Sequence, residues 1–377
     1  MHNATDLLSQ LVAIDSINPD LVPGGAGESA IAAFIAAWSR AQGLEVVLQE
    51  AAPGRPNVIA IARGSGGGRS LMINAHVDTV GVSGMAQPHQ PRIAAGRLYG
   101  RGAFDMKAGL AAGMLAVATA AQQSLRGDVL LAAVVDEEYA SIGTRALLTQ
   151  WRSDAAIVTE PTQLRTCVAH KGFVWLEIDN RGVAAHGSRP DLGVDAITRL
   201  GPVLSELGQL DVALRERPLH RLLHSGSLHA SLISGGQELS SYPARCTVAL
   251  ERRTVPGETT TIVEEQIAAL LERCAARDPL LNATLRTTLV REPFEIAEDA
   301  AIVEMLQTQA RHVLGTTPAI IGDTPWMDAA LLSAAGIPTV VFGPSGTGAH
   351  AVEEWADLGS VERCAAILGA TAHAFCA

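Results

Sequence analysis

The sequence predicts an α/β protein: a mostly parallel sheet covered by helices, interrupted by a smaller inserted domain of β-α-β-β-α-β order. Three observations predict it. Short apolar runs alternate with helical segments towards both ends of the chain, the pattern of a sheet with helices on both faces. The middle of the chain has a different rhythm of strand-like and helical runs. The 377 residues, 48% of them hydrophobic, are enough for a large core and favour two domains over one.

The elements follow in order. Residues 5–14 and 28–42 show helical apolar periodicity, and Gly43 ends the second helix. GLEVVLQ and PNVIAIARG are strand-like, with Pro53, Gly54 and Pro56 turning between them. GSGGG at 64–68 is a flexible turn, because it lacks the Gly-Lys-Ser/Thr ending of a phosphate loop. SLMINAHVD (70–78) is a buried strand running into a loop, and 108–123 is an Ala/Leu helix. VLLAAVVDEE (129–138), AAIVTE (155–160) and PTVVFGP (338–344) are further buried strands. In the middle, strand 173–182, helix 193–208, strands 227–233 and 245–253, helix 258–276 and strand 282–290 spell the ferredoxin-like pattern. The expected division is 1–172 with 291–377 as one domain and 173–290 as the insert.

Composition narrows the function. A net charge of −11 with no Lys/Arg run argues against a nucleic-acid surface. Five cysteines, Cys167, Cys246, Cys274, Cys364 and Cys376, lie far apart with no C-x-x-C, as expected of reduced thiols in a cytoplasmic protein. The N-terminus is too polar for a signal peptide, and no apolar run is expected to reach the length of a membrane span.

The chemistry lies in residues at or just after strand-like runs, where an α/β fold gathers its active-site loops. They are His76 and Asp78 in NAHVD, Asp105 in GRGAFDMKAG, Glu137 and Glu138 in VVDEE, Glu160 in VTEPT and His350 in GTGAHAVEE. Three carboxylates and two imidazoles suffice for two divalent metals, with one carboxylate to spare as a base. His76 and Asp78, one residue apart, face the same side of an extended segment, so Asp78 suits the orienter of a ligating imidazole. Gly100, Gly102 and Gly109 allow tight turns that push Asp105 into a cleft. Adjacent Glu137 and Glu138 point opposite ways in extended chain, one towards metal and one towards water. Each motif alone is bland: a loop hydrogen bond, a helix cap, a solvated acid pair. Their joint occurrence at successive strand ends reads as a two-metal hydrolase.

These motifs, with EPTQLRTCVAHKG, GVAAHGSRPDLGVDAI and RRTVPGE, resemble the zinc aminoacylase family over essentially the whole chain. That family of di-zinc metallopeptidases includes acetylornithine deacetylase, succinyl-diaminopimelate desuccinylase and carboxypeptidase G. EPT…AHKG looks most like the acetylornithine branch. The resemblance implies that His76 and Glu160 bind one zinc, that Glu138 and His350 bind the other, and that Asp105 bridges both. Cobalt and manganese are possible substitutes. It implies Glu137 as general base, a cis peptide after Asp105, and an insert acting as lid and homodimer interface. His186 of GVAAHGS would reach the active site, and Arg253 of RRTVPGE would bind the substrate carboxylate. One departure is GGQELSSYP, where Ser240 or Ser241 stands in place of a frequent Asn. The implied reaction is hydrolysis of an N-acyl amino acid amide. Cleavage of short peptides, as a dipeptidase or carboxypeptidase, and non-catalytic metal or ligand binding are the alternatives. No nucleic-acid or membrane partner is expected.

Overall fold

In the computed structural model, which describes residues 3–377, the middle of the large sheet is made of four strands that are buried along their whole length: Leu71–His76, Val129–Val134, Ala155–Val158 and Thr339–Val341. Strands apolar on both faces belong in a sheet interior. These four pair in parallel there, Leu71–His76 between Val129–Val134 and Ala155–Val158, and Thr339–Val341 beyond the latter. The flanks are antiparallel. Arg55–Ala62 pairs with Val129–Val134 and carries Glu45–Ala52 outside it. On the other flank Thr166–His170 meets Thr339–Val341 at Cys167. The sheet is thus parallel in its middle, and the ends of those strands all point one way.

The chain forms two compact units: residues 1–168, 296–321 and 327–377 make one, and 169–295 with 322–326 make the other. Against the expectation that no apolar run is long enough, Ala103–Ala120 could cross a membrane by length and composition. It is 83% buried inside the protein, and its backbone leaves helical geometry at Asp105 and Met106. Its helical part, Ala108–Ala120, packs on the helices Ala4–Val12 and Leu358–Cys376 and on the strand Leu71–His76. It is a core helix. Gly109 is required there, since a Cβ would lie 1.9 Å from the Thr159 carbonyl oxygen.

In the second unit, Ser227–Gly235, Arg245–Thr254, Gly172–Arg181 and Ala283–Arg291 lie side by side in that order, all antiparallel. With the helices Gly201–Arg215 and Thr260–Arg277 this is the ferredoxin-like arrangement. Alternation drives it: Val174, Leu176, Ile178, Val248 and Leu250 face a core shared with Val203, Val263 and Ile267 of the helices. The first helix starts at Gly201, not at 193. Val194 is taken by a bridge to Val183, and Asp195 Oδ1 accepts the amides of Ile197 and Thr198, so the chain spends those residues on a turn. The segment 322–326 joins this unit through Trp326, whose Nε1 donates to the Glu292 carbonyl at 3.0 Å.

Candidate metal centre

Three strand ends, the turn before the helix Ala108–Ala120 and one C-terminal loop of the first unit bring the predicted acids and imidazoles together. His76 is the last residue of its strand and 2% exposed. Its Nδ1 lies 3.0 Å from the Asp78 carbonyl oxygen and 3.6 Å from Asp78 Oδ1. An Nδ1–H donating there leaves the Nε2 lone pair free for the cleft. Nε2 stands 3.3 Å from Asp105 Oδ1 and 3.5 Å from Glu160 Oε1.

Asp105 sits on a turn that begins at Gly102, whose φ of +75° favours glycine, and its peptide to Met106 is cis. Its other oxygen, Oδ2, lies 3.5 Å from His350 Nε2, which is 3.0 Å from Glu138 Oε2. The turn is held by a carboxylate that sequence spacing does not reveal. Glu354 Oε1 accepts the amides of Phe104 and Asp105 at 2.8 and 3.0 Å, and Oε2 accepts Gly102 N–H at 2.9 Å and Arg101 Nη1 at 2.8 Å.

The acid pair departs from the extended geometry expected of it. Asp136 has a φ of +69°, so the chain turns immediately before Glu137. Asp136 Oδ2 accepts the amides of Ala140 and Ile142 across that turn. The amides of Glu137 and Glu138 donate to Asp78 at 3.1 and 3.2 Å. Both carboxylates therefore reach the cluster: Glu137 groups with His76 and Glu160, and Glu138 groups with His76 and Asp105.

The electrostatics are those of crowded buried acids. Burial, and then Glu160, push the Glu137 carboxyl well above its ordinary range. Burial does the same for Glu160, against the opposing pull of His76. Burial disfavours charge on both Asp105 and His76. The contacts with His350 and His76 outweigh it and hold Asp105 low, while Glu160, Asp105 and Asp78 outweigh it and hold His76 well above the usual imidazole value. His350 is raised to about 10 by Asp105 and Glu138. Nitrogen and oxygen donors in carboxylate excess suit divalent cations. Glu138 Oε1 is buried without a hydrogen-bond partner, as a ligand atom kept for a cation would be.

His186 and Arg253 belong to the second unit. His186 Nδ1 contacts Ser188 Oγ at 2.7 Å, and its backbone bridges to Ser241. Ser241 Oγ donates to Glu238. Arg253 Nε donates to Glu251 at 2.7 Å, and its guanidinium lies 4.9 Å above the Phe173 ring.

Several residues of the centre were not visible as motifs. Asn18 donates to Asp78 and Asp136. Arg55 pairs with Asp20, Glu28 and Asp136. Buried Lys107, its pKa brought down to about 7 by desolvation, donates to the Ile14 carbonyl at 2.8 Å.

Comparison with known proteins agrees with this geometry. The chain is 28% identical to the acetylornithine deacetylase of Myxococcus xanthus over 87% of its own length and 86% of that protein's. A tripeptidase from Staphylococcus aureus superposes with a TM-score of 0.79 at 21% identity, covering 99% of this chain and 98% of that one. An M20 family metallo-carboxypeptidase from Sulfolobus solfataricus superposes at 0.78 and 19% identity, covering 100% and 99%. The profile of peptidase family M20/M25/M40 matches residues 72–374, a span that contains every residue of the cluster from His76 to His350. The chain belongs to the M20/M25/M40 peptidase family, metallohydrolases that act on amide bonds.

Proposed function

We propose that this chain removes the acyl group from a small N-acyl amino acid, using two divalent cations at Asp105 and Glu137 as general base. The observation that carries the reading is the division of Asp105, with one oxygen towards His76 and the other towards His350. His76 and Glu160 would hold one cation and Glu138 and His350 the other, with Asp105 available to both. Bound cations, zinc or in its place cobalt or manganese, lower the pKa of water from ~15.7 towards ~7 and polarise a carbonyl. Asp78 keeps His76 turned towards the cluster. Glu137 takes the proton of the attacking water and delivers it to the leaving nitrogen.

His186 donates to the developing oxyanion, and Arg253 holds the substrate carboxylate. Support for Arg253 comes from its clamp between Glu251 and Phe173, which fixes the planar fork a carboxylate would meet. Ser240 or Ser241 is the shorter polar group in the position where an amide is frequent. The second unit serves as lid and homodimer interface. Among the described residues its edge strand Ser227–Gly235 is paired on one side only, with Leu232 and Ile233 73% and 57% exposed. Four buried free cysteines, Cys246, Cys274, Cys364 and Cys376, support a cytoplasmic setting.

The second reading is a peptidase acting on dipeptides or C-terminal residues, supported by the likeness to a tripeptidase and a metallo-carboxypeptidase. Amine release by zinc- or cobalt-loaded protein, over N-acetyl, N-succinyl and N-formyl amino acids and dipeptides, decides between them. Turnover of one acyl class supports the deacylase. Turnover of dipeptides alone replaces it.

A further inference from the structure

Behind the proposed ligands lies a fully buried amide, Asn18, whose side chain is hydrogen-bonded to Asp78, Asp136, Asp20 and Leu21. Its Nδ2 donates to Asp78 Oδ2 at 2.8 Å and to Asp136 Oδ1 at 2.9 Å. Its Oδ1 accepts the amides of Asp20 and Leu21 at 3.0 and 3.2 Å. Both donors and the acceptor are used, so a flipped amide would turn its oxygen on two carboxylates. The backbone is held as well: Asn18 N–H donates to the Thr79 carbonyl at 2.9 Å, and Thr79 N–H to the Ser16 carbonyl at 3.0 Å.

The two acids that Asn18 joins both hold the Glu137–Glu138 turn, and one of them, Asp78, also faces His76. Asp78 faces His76 Nδ1 and accepts the amides of Glu137 and Glu138. Asp136 shapes the turn that carries those two glutamates, and Arg55 Nη2 balances its charge at 2.9 Å. A displacement of Asp78 therefore moves one imidazole and two carboxylates together. We propose that Asn18 is a positioning residue for the metal centre. It sets the spacing between the His76–Asp78 pair and the Glu137–Glu138 turn, and this rests on the metal-dependent reading above. No other side chain of this size places two N–H groups between two carboxylates and an acceptor on the opposite side. Asp adds a third negative charge there, and Ala leaves two buried acids facing each other.

The test is cobalt binding by metal-free protein, followed by calorimetry and by the visible absorption of the bound ion. Asn18→Ala is expected to weaken cobalt binding ~10–100-fold, the usual effect of losing a group that orients a ligand. Asn18→Asp, of the same shape, is expected to weaken it as well, and it carries the test should the alanine variant fail to fold. In an Asp78→Ala background, Asn18→Ala should cost less than roughly threefold further, because the group it acts through is gone. Asn180→Ala is the control. It removes a buried amide of the second unit, bonded to the Ala196 carbonyl at 2.8 Å, and should leave cobalt affinity unchanged. Parent-like cobalt affinity in the Asn18 variants, or fully additive losses with Asp78→Ala, overturns the positioning role alone. A parent protein that binds no cobalt overturns the metal reading and this inference with it.

Discussion

Truncating Glu354 tests how the Asp105 turn is held. The carboxylate is 1% exposed and accepts three backbone amides and Arg101, whose own side chain is 3% exposed. Glu354→Ala leaves a buried guanidinium without its acid, which costs ~3–5 kcal/mol. It also frees three amides, at ~1–3 kcal/mol for each that stays unsatisfied. A full sum would rival the total stability of a domain, ~5–15 kcal/mol, so the turn must relax and admit water. The expected loss is therefore near the pair-breaking figure, about 4 kcal/mol. Glu354→Gln keeps the shape and one acceptor oxygen but loses the charge, and about 2 kcal/mol is expected from a charged hydrogen bond. For a unit of this size each kcal/mol lowers the melting temperature by roughly 2–4 °C. Melting of metal-free protein should then fall by ~8–16 °C for the alanine variant and about half that for glutamine. Because Asp105 loses its anchor, cobalt affinity should fall in the same order. A decrease of under ~2 °C in the alanine variant, with parent-like cobalt binding, would refute the reasoning, since the four donors would then be satisfied without Glu354.

Three further outcomes follow from the same geometry. Glu137→Gln should reduce kcat by ~100-fold or more while metal content, measured by elemental analysis, stays at the parent value; full activity would remove Glu137 as base. Arg253→Ala should raise KM and leave kcat nearly constant if its contact is equally strong in ground and transition states, and steady-state kinetics on the best substrate of the panel reads this directly. Cys246, Cys274, Cys364 and Cys376 are buried and free, with Cys376 pushed up to about 12 by desolvation. A thiol reagent at pH 8 should therefore label almost none in the native protein and all of them after denaturation.

The parts of this molecule that could be read in the sequence are those whose cause is local. Strands such as Leu71–His76 and Val129–Val134 are apolar along their length, so burial on both faces and a central place in the sheet follow from the run itself. The acids and imidazoles at their ends follow too, because parallel strands end on one edge. The insert was legible through its alternation, apart from the start of its first helix, where Asp195 and the Val183–Val194 bridge compete with helical periodicity. The helix Ala301–Leu314 is not among the elements read above, although Ile302, Val303, Leu306 and Ala310 mark one buried face.

What could not be read are the contacts that hold the ligands still. Asn18 reaches Asp78 and Asp136 across 60 and 118 positions, and Glu354 reaches Asp105 across 249. No spacing rule spans such distances, and Asn18 in SINPD resembles any turn residue. The pair Glu137–Glu138 shows what this omission costs. Extended chain would send the two carboxylates to opposite faces of the sheet, and only one would meet the metals. The left-handed Asp136 and its bonds to Asn18, Arg55, Ala140 and Ile142 convert the strand end into a turn, so both acids enter one cluster. The convergence of two adjacent acids on one cluster is therefore a product of buried polar contacts from the N-terminal segment and the second strand. Changes at those remote positions should act on metal binding and proton transfer together.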